Sequence, residues 1–343
     1  MCTNIAASGA SVRDRGKPLI ASVSDDPYDI RTKVIVERPG DGYAYVGTAL
    51  RPLGTSVSAA EYSDSTAGTP TRGLNEKGLA FTWAFAWERP DHRPPPDALK
   101  SHQAWGEVMR RCATVAEAVR LLDQLPRDFG AAGMLADRRG DCALVEVGRQ
   151  HVAVRRRLPD ETGGTGVNVN CWFDLQAEDG DPKAGMDVPT VPNATRYARA
   201  TARLAAVDGH IGLLEMRDAL CDHGHRERFA GENTLVRGHG FSVCNHGSLG
   251  KSRFDPAEPA WGTVSAEIID PAAGLLWYAF GWPCGEPAEH GDQLLQEASW
   301  GRFIGFPLDG LPAGDYTTLS GELTPLAIRH LDRLVPFPAA ASA

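Results

Sequence analysis

No apolar run in these 343 residues approaches the ~20 needed by a membrane-spanning helix, and the N-terminus carries no signal-peptide apolar region. A cytoplasmic protein without a membrane partner is therefore expected. Positive charge is in deficit: 35 Lys and Arg face 44 Asp and Glu, for a net charge of −9. That balance argues against nucleic acid or an anionic membrane surface as the main partner. The cysteines Cys2, Cys112, Cys142, Cys171, Cys221, Cys244 and Cys284 are odd in number and include no CxxC pair. Reduced thiols fit this pattern better than a disulfide framework. Internal repeats and an interior linker are also missing. One domain is expected over residues 1–334, followed by a flexible Pro/Ala-rich tail over 335–343.

What is present reads as an α+β protein. Thr3 to Ser8 and Leu19 to Ser24 have strand character, separated by the turn-rich Arg13-Asp14-Arg15-Gly16-Lys17-Pro18. Further strands are expected at 33–36, 43–47, 79–85, 135–147 (a hairpin), 152–154, 167–169, 240–244, 262–269 and 275–280. Residues 51–72, rich in Ser, Thr, Gly and Pro, read as a loop bordering a pocket. Helices are expected near 102–111, 114–125, 192–207, 211–222 and 322–334, the second opening on the capping box Thr114-x-x-Glu117. Strands in meandering runs with grouped helices favour antiparallel layering over a doubly wound sheet.

The chemistry concentrates at the start. Cys2 stands directly behind the initiator methionine, and removal of Met1 would put a thiol and a free α-amine on one Cα. An α-amine with a pKa of about 7.7–8.0 is partly unprotonated at neutral pH and can accept the thiol proton. Nucleophile and base then occupy one residue. A hairpin would return the Asp25-Asp26 end close to Cys2. By residue type alone, those carboxylates suit an amine partner or an Asp-Pro turn equally well.

Several segments, in order, resemble the N-terminal-nucleophile (Ntn) hydrolases with an N-terminal cysteine. Met1-Cys2-Thr3 with the strand ending at Asp25, Gly73-Leu74-Asn75-Glu76-Lys77-Gly78-Leu79, Val169-Asn170-Cys171-Trp172 and Asn193-Ala194-Thr195-Arg196-Tyr197 are similar to bile salt hydrolases and penicillin V acylases. Cys221-Asp222-His223, Ser242 to His246, Thr263 to Asp270 and Gly281-Trp282-Pro283-Cys284 look more like the penicillin acyltransferase branch. The resemblance covers about residues 1–285.

It implies a four-layer αββα sandwich with two mainly antiparallel sheets, and a cofactor-free enzyme that cleaves or forms a linear, non-peptide amide through an acyl-thioester. A role in bacterial natural-product metabolism would suit such an activity. The implied partners are a small-molecule amide or acyl donor and an amine acceptor; a homo-oligomer is compatible with the chain. Carried over by position, Cys2 is the nucleophile, Asp25 positions its amine, Asn170 contributes to the oxyanion hole and Arg196 supports the nucleophile. Trp83, Ala84, Phe85, Asn75, Trp172 and Ser22 are the implied pocket, with a backbone N–H near Ala84 as second oxyanion donor. The chain departs from bile salt hydrolases in carrying Ser22 where they have an Arg, and Trp83-Ala84-Phe85 where they have an Asn. A cysteine dipeptidase of the same superfamily and a non-catalytic binding protein of the same fold are the alternatives.

Other residues have plainer accounts. Trp83, Trp87, Trp172, Trp261, Trp277 and Trp282 suit an apolar acyl pocket or ordinary core packing. Arg196 with Arg199 and Arg203 suits a solvated helix face. Cys221, His223 and His225, joined by Cys244 and His246, raise zinc, but their spacing matches no usual structural site. No metal is expected on that basis, with Cys244 and Cys284 as inert buried thiols.

Overall fold

The computed structural model describes residues 2–13, 17–53, 70–86, 93–156, 164–175, 190–223, 242–246, 261–285 and 300–339. Its strands are β1 (Thr3–Ala7), β2 (Leu19–Pro27), β3 (Ile30–Glu37), β4 (Tyr45–Pro52), β5 (Arg72–Asn75), β6 (Leu79–Ala86), β7 (Gly130–Asp137), β8 (Cys142–Val147), β9 (Val152–Arg156), β10 (Thr165–Val169), β11 (Trp261–Asp270), β12 (Leu275–Phe280), β13 (Ile304–Pro307), β14 (Gly314–Asp315) and β15 (Val335–Pro336). The helices are α1 (Ser101–Arg111), α2 (Val115–Gln124), α3 (Thr190–Ala205), α4 (Leu213–Leu220) and α5 (Pro325–Arg329).

The strands make two antiparallel sheets. One runs β10-β1-β2-β11-β12-β13-β15 and the other β14-β3-β4-β5-β6-β7-β8-β9. Residues i and i+2 of a strand share a face, and the burial follows that period on both sheets. Ala6, Ile20, Leu276, Tyr278 and Phe280 of the first sheet meet Val34, Val36, Val46, Leu74 and Met134 of the second in a shared interior. The alternate residues Phe81, Trp83, Leu135 and Val145 pack outward under α1 and α2, where the Trp105 ring stacks on Phe81 at 4.8 Å. On the opposite side Ile5, Ala21, Val23 and Ile268 pack under α3 and α4. The result is helix, sheet, sheet, helix, the expected four-layer α+β sandwich. Both sheets are covered on both faces, which is why β2 and β7 read as near-continuous apolar runs. Thr114 caps α2 as its sequence pattern implies, its hydroxyl accepting from the Glu117 amide at 3.2 Å.

Three expectations need correction. The helix over 322–334 is only the short α5 and a single turn at Leu331–Arg333. The tail is docked where it begins: β15 pairs with β13, and Phe337 meets the Trp277 ring edge-on at 5.2 Å. Pro and Ala content hid two edge-strand residues and an aromatic anchor. In the strand expected at 240–244, residues 240–241 lie outside the described residues and Ser242–Cys244 are bends.

Candidate active site

β1 lies between β10 and β2, with Thr3 opposite both Val169 and Val23. Cys2, Asn170 and the Ser24-Asp25 end of β2 therefore converge at one edge of the sheet layer. Cys2 is buried, and its backbone nitrogen donates to Asn170 Oδ1 at 2.5 Å. Asn170 Nδ2 donates to the Phe85 carbonyl on the facing sheet at 2.8 Å. Both amide functions are thus engaged: the oxygen on the Cys2 nitrogen, the NH₂ on β6. The latter contact uses one of the two N–H bonds of the group that the resemblance aims at an oxyanion.

Arg196 is fully buried, not part of a solvated face. Its Nη1 donates to the Cys2 carbonyl (2.5 Å) and Thr3 Oγ1 (3.1 Å), and its Nη2 to Asn170 Oδ1 (3.1 Å) and Asn193 Oδ1 (2.6 Å). Asn193 Nδ2 in turn donates to the Asn170 carbonyl at 3.2 Å. A planar guanidinium with fixed forks suits this work. Arg199 and Arg203, next along α3, bind the buried Asp222 instead.

Asp25 is held from β11. The pairing of β11 with β2 shifts register between Thr263 and Ser265, a bulge beside the site. Thr263 Oγ1 donates to Asp25 Oδ1 at 2.6 Å while accepting from the Asn245 amide at 2.9 Å. Burial pushes the Asp25 carboxyl up to about 6, against the N-terminal charge, Arg196 and the Thr263 hydrogen bond, which pull it down. Burial likewise raises the Cys2 thiol, opposed by the N-terminal charge and by Arg72.

Arg72 is not the end of a loop, although its Ser/Thr/Gly/Pro-rich surroundings suggest one. It opens β5, is buried, and reaches across the inter-sheet space: Nε donates to Ser22 Oγ at 2.9 Å and lies 3.3 Å from Glu267 Oε2, and Nη2 donates to the Trp83 carbonyl at 3.2 Å. Ser22, where the resemblance lost an arginine, receives one from the opposite sheet. Glu267 accepts from Ser265 Oγ at 2.8 Å. Asn4 and Asn168 form a second polar bridge between the sheets, donating to the Ala132 and Gly133 carbonyls at 3.3 and 2.8 Å and joined to each other at 2.8 Å. A period-2 strand with a polar residue on its inner face, as at Ser22 and Asn4, was the available signal.

Four pocket assignments are corrected. The Trp83 and Phe85 side chains belong to the helix-side core, and their backbone carbonyls accept from Arg72 and Asn170 of the site. In a strand the N–H of a residue points the same way as its C=O, so the backbone donors on that edge belong to Trp83 and Phe85. Ala84 pairs with Ala132 of β7. Asn75 is structural: Nδ2 donates to the Met109 and Cys112 carbonyls at the end of α1 (2.9 and 2.7 Å), and Oδ1 accepts from the Lys77 and Leu79 amides (3.1 and 3.0 Å). Asn75→Ala is expected to lower unfolding free energy by about 2–4 kcal/mol, since buried carbonyls lose their donors. Urea melts check this, with KM unchanged at low temperature.

Trp172 is held by its indole N–H on the Ala131 carbonyl (2.9 Å), packed with Ala86 and Ala132. Trp277 and Trp282 are buried in separate clusters, and the Trp87 and Trp261 side chains lie outside the described residues. The described tryptophans therefore do not gather into one acyl pocket.

Residues 33–181 match the family described as acyl-coenzyme A:6-aminopenicillanic acid acyl-transferase. That span holds Arg72 and Asn170 but not Cys2, Asp25 or Arg196. No curated protein matches the sequence. Among solved structures, two variants of conjugated bile acid hydrolase from Clostridium perfringens are similar. One is 15% identical with TM-score 0.53, covering 92% of this chain and 97% of that one. The other is 14% identical with TM-score 0.51, covering 93% and 97%. A penicillin V acylase from Agrobacterium tumefaciens is 19% identical over 81% of this chain and 83% of that one, with TM-score 0.46. At such identities the first two likenesses establish the fold. Among the described residues no helix is long and apolar enough to cross a membrane.

Proposed function

We propose, on the premise that this chain has the Ntn-hydrolase fold, that it is a cysteine amidohydrolase or acyltransferase acting on a linear, non-peptide amide through an acyl-thioester on Cys2. One observation carries the proposal. The nitrogen that becomes a free amine on loss of Met1 already sits against Asn170 Oδ1, in a buried nest with Arg196 on the carbonyl of the same residue.

In the proposed reaction Cys2 Sγ attacks the substrate carbonyl carbon and its proton passes to the α-amine. The C–N bond breaks, and the leaving amine takes that proton from the α-ammonium. Water or an acceptor amine then attacks the thioester, gives a proton to the α-amine, and the thiol is restored. Asn170 Oδ1 and Asp25 would orient the α-amine and favour its charged form. The backbone N–H of Trp83, on the β6 edge that Arg72 reaches, is a candidate oxyanion donor. Such donors contribute about 10²–10³ in rate each. Intact-mass analysis tests this: loss of Met1 and, with an N-acyl amide or acyl thioester, one acyl group mapping to Cys2. Active protein that retains Met1, or an adduct on another cysteine, would overturn it.

Asp25 gives the pH dependence. It serves as a carboxylate, so kcat/KM should rise with pH through about 6, and Asp25→Asn should remove that limb. Stability moves the other way. The folded pKa lies above the unfolded value of about 3.9, so unfolding free energy should fall as pH rises from about 4 to about 6 and then level off. Urea melts of wild type and Asp25→Asn across that window check the sign.

A further inference from the structure

Four side chains from three segments, Cys2 not among them, turn their donor atoms inward: His223 just beyond α4, Cys244 and His246 on the short segment 242–246, and Cys284 in the turn after β12. Their ligand atoms all lie within 4.8 Å of one another, and His246 Nε2 is 3.0 Å from Cys284 Sγ. We propose that these four residues form a structural zinc site.

The donor set is the first reason. Two thiols and two imidazoles, with every tetrahedral position supplied by protein, are the usual composition of a closed zinc site. At ordinary Zn–S and Zn–N bond lengths, tetrahedral donors stand roughly 3.3–3.8 Å apart, so the observed cluster needs only a small contraction. Charge is the second reason. Binding releases both thiol protons, and two thiolates neutralise the dication, so the site carries no net charge where Cys244 and Trp282 pack together in the core.

Support around the ligands is the third. The His246 ring stacks on Trp282 at 4.1 Å and 9°, and the His223 ring meets it edge-on at 4.6 Å. Tyr28 Oη donates to the His246 carbonyl at 3.0 Å, and the Cys244 amide to the Asp222 carbonyl at 3.2 Å. Asp222 is itself fixed by Arg199 and Arg203. The His246 ring and the backbone of His246 and Cys244 are thus oriented by partners outside the cluster, as ligands in a metal site require.

The proposal departs from the expectation of no metal. Spacing along the chain argued against a site because it grouped Cys221 with His225. Cys221 is not among the converging four, His225 lies outside the described residues, and the fourth ligand, Cys284, comes from a distant turn. The consequence for the active site is positional. Asn245, between two ligands, exchanges hydrogen bonds with Thr263, and Thr263 holds Asp25. A filled site would clamp that chain of contacts.

The test is elemental analysis of full-length protein purified without chelator or polyhistidine tag. About one zinc per chain is expected, falling at least about fivefold in Cys284→Ser and in His223→Ala. Replacement by Co²⁺ should give thiolate-to-metal absorption in the near ultraviolet with the visible bands of tetrahedral cobalt, weakened in Cys284→Ser. If those variants do not fold, the wild-type zinc content and Co²⁺ spectrum decide the matter. Wild-type protein with less than about 0.1 zinc and no Co²⁺ bands would overturn the site. So would zinc content unchanged in both variants, or a mapped Cys244–Cys284 disulfide in the protein as isolated. None of these readouts depends on catalysis at Cys2.

Discussion

Cys2→Ala is expected to abolish the acyl adduct and lower kcat on the order of 10⁴-fold or more, the scale on which removal of a covalent nucleophile acts. The size of the effect follows from the burial of this thiol. In the chain that retains Met1, burial raises its pKa against the N-terminal charge and Arg72, which favours a thiol over a preformed thiolate. Attack then needs a base at the moment of reaction, and the nitrogen of the same residue is placed for it against Asn170. Separating the two functions gives the sharper result. A chain with one extra lysine between Met1 and Cys2 keeps the thiol but buries its nitrogen in a peptide bond. It should lose turnover nearly as completely as Cys2→Ala, while slow alkylation of Cys2 by iodoacetamide persists. Turnover that survives the insertion would mean that another group accepts the proton. Cys2→Ser should fall close to Cys2→Ala, because a hydroxyl is a weaker nucleophile at the same geometry.

The β1–β2 hairpin was legible because two apolar runs flank a turn-rich segment, and its register does bring Asp25 back toward Cys2. The layer order followed from strand runs and grouped helices. The faces were harder. Alternation along Leu79–Ala86 divides two sets of side chains, yet nothing local says which set meets helices, so Trp83 and Phe85 were placed on the wrong side of β6. Asn75 lay in a segment whose turn grammar was plain, whereas its tie to the end of α1 joins elements distant in sequence. Arg72 and the cluster around Cys284 share that cause. Their partners are fixed by the stacking of sheets and the meeting of loops, and residue spacing does not encode either.

Arg72→Met is expected to be the most destabilising substitution near the site, by about 3–5 kcal/mol, because it leaves Glu267 buried without its cation. The loss should depend on pH in a defined direction. Burial already raises the Glu267 carboxyl, and Arg72 is the main influence holding it down. Without Arg72 its folded pKa climbs further above the unfolded value of about 4.3. The variant therefore keeps most of its stability where Glu267 is protonated and loses it as pH rises through the elevated folded pKa. Urea melts at pH 5 and pH 8 should show the larger deficit at pH 8. Arg72→Met with Glu267→Gln removes both charges, and it should recover at least half of the single-variant loss. A double variant no more stable than Arg72→Met would show that packing and the bond to Ser22, not the buried ion pair, set the cost. In the stable double variant the other influence of Arg72 becomes measurable. With its pull on the Cys2 thiol gone, reaction with an acyl thioester should slow at neutral pH, and its rise with pH should move to higher pH while KM changes little.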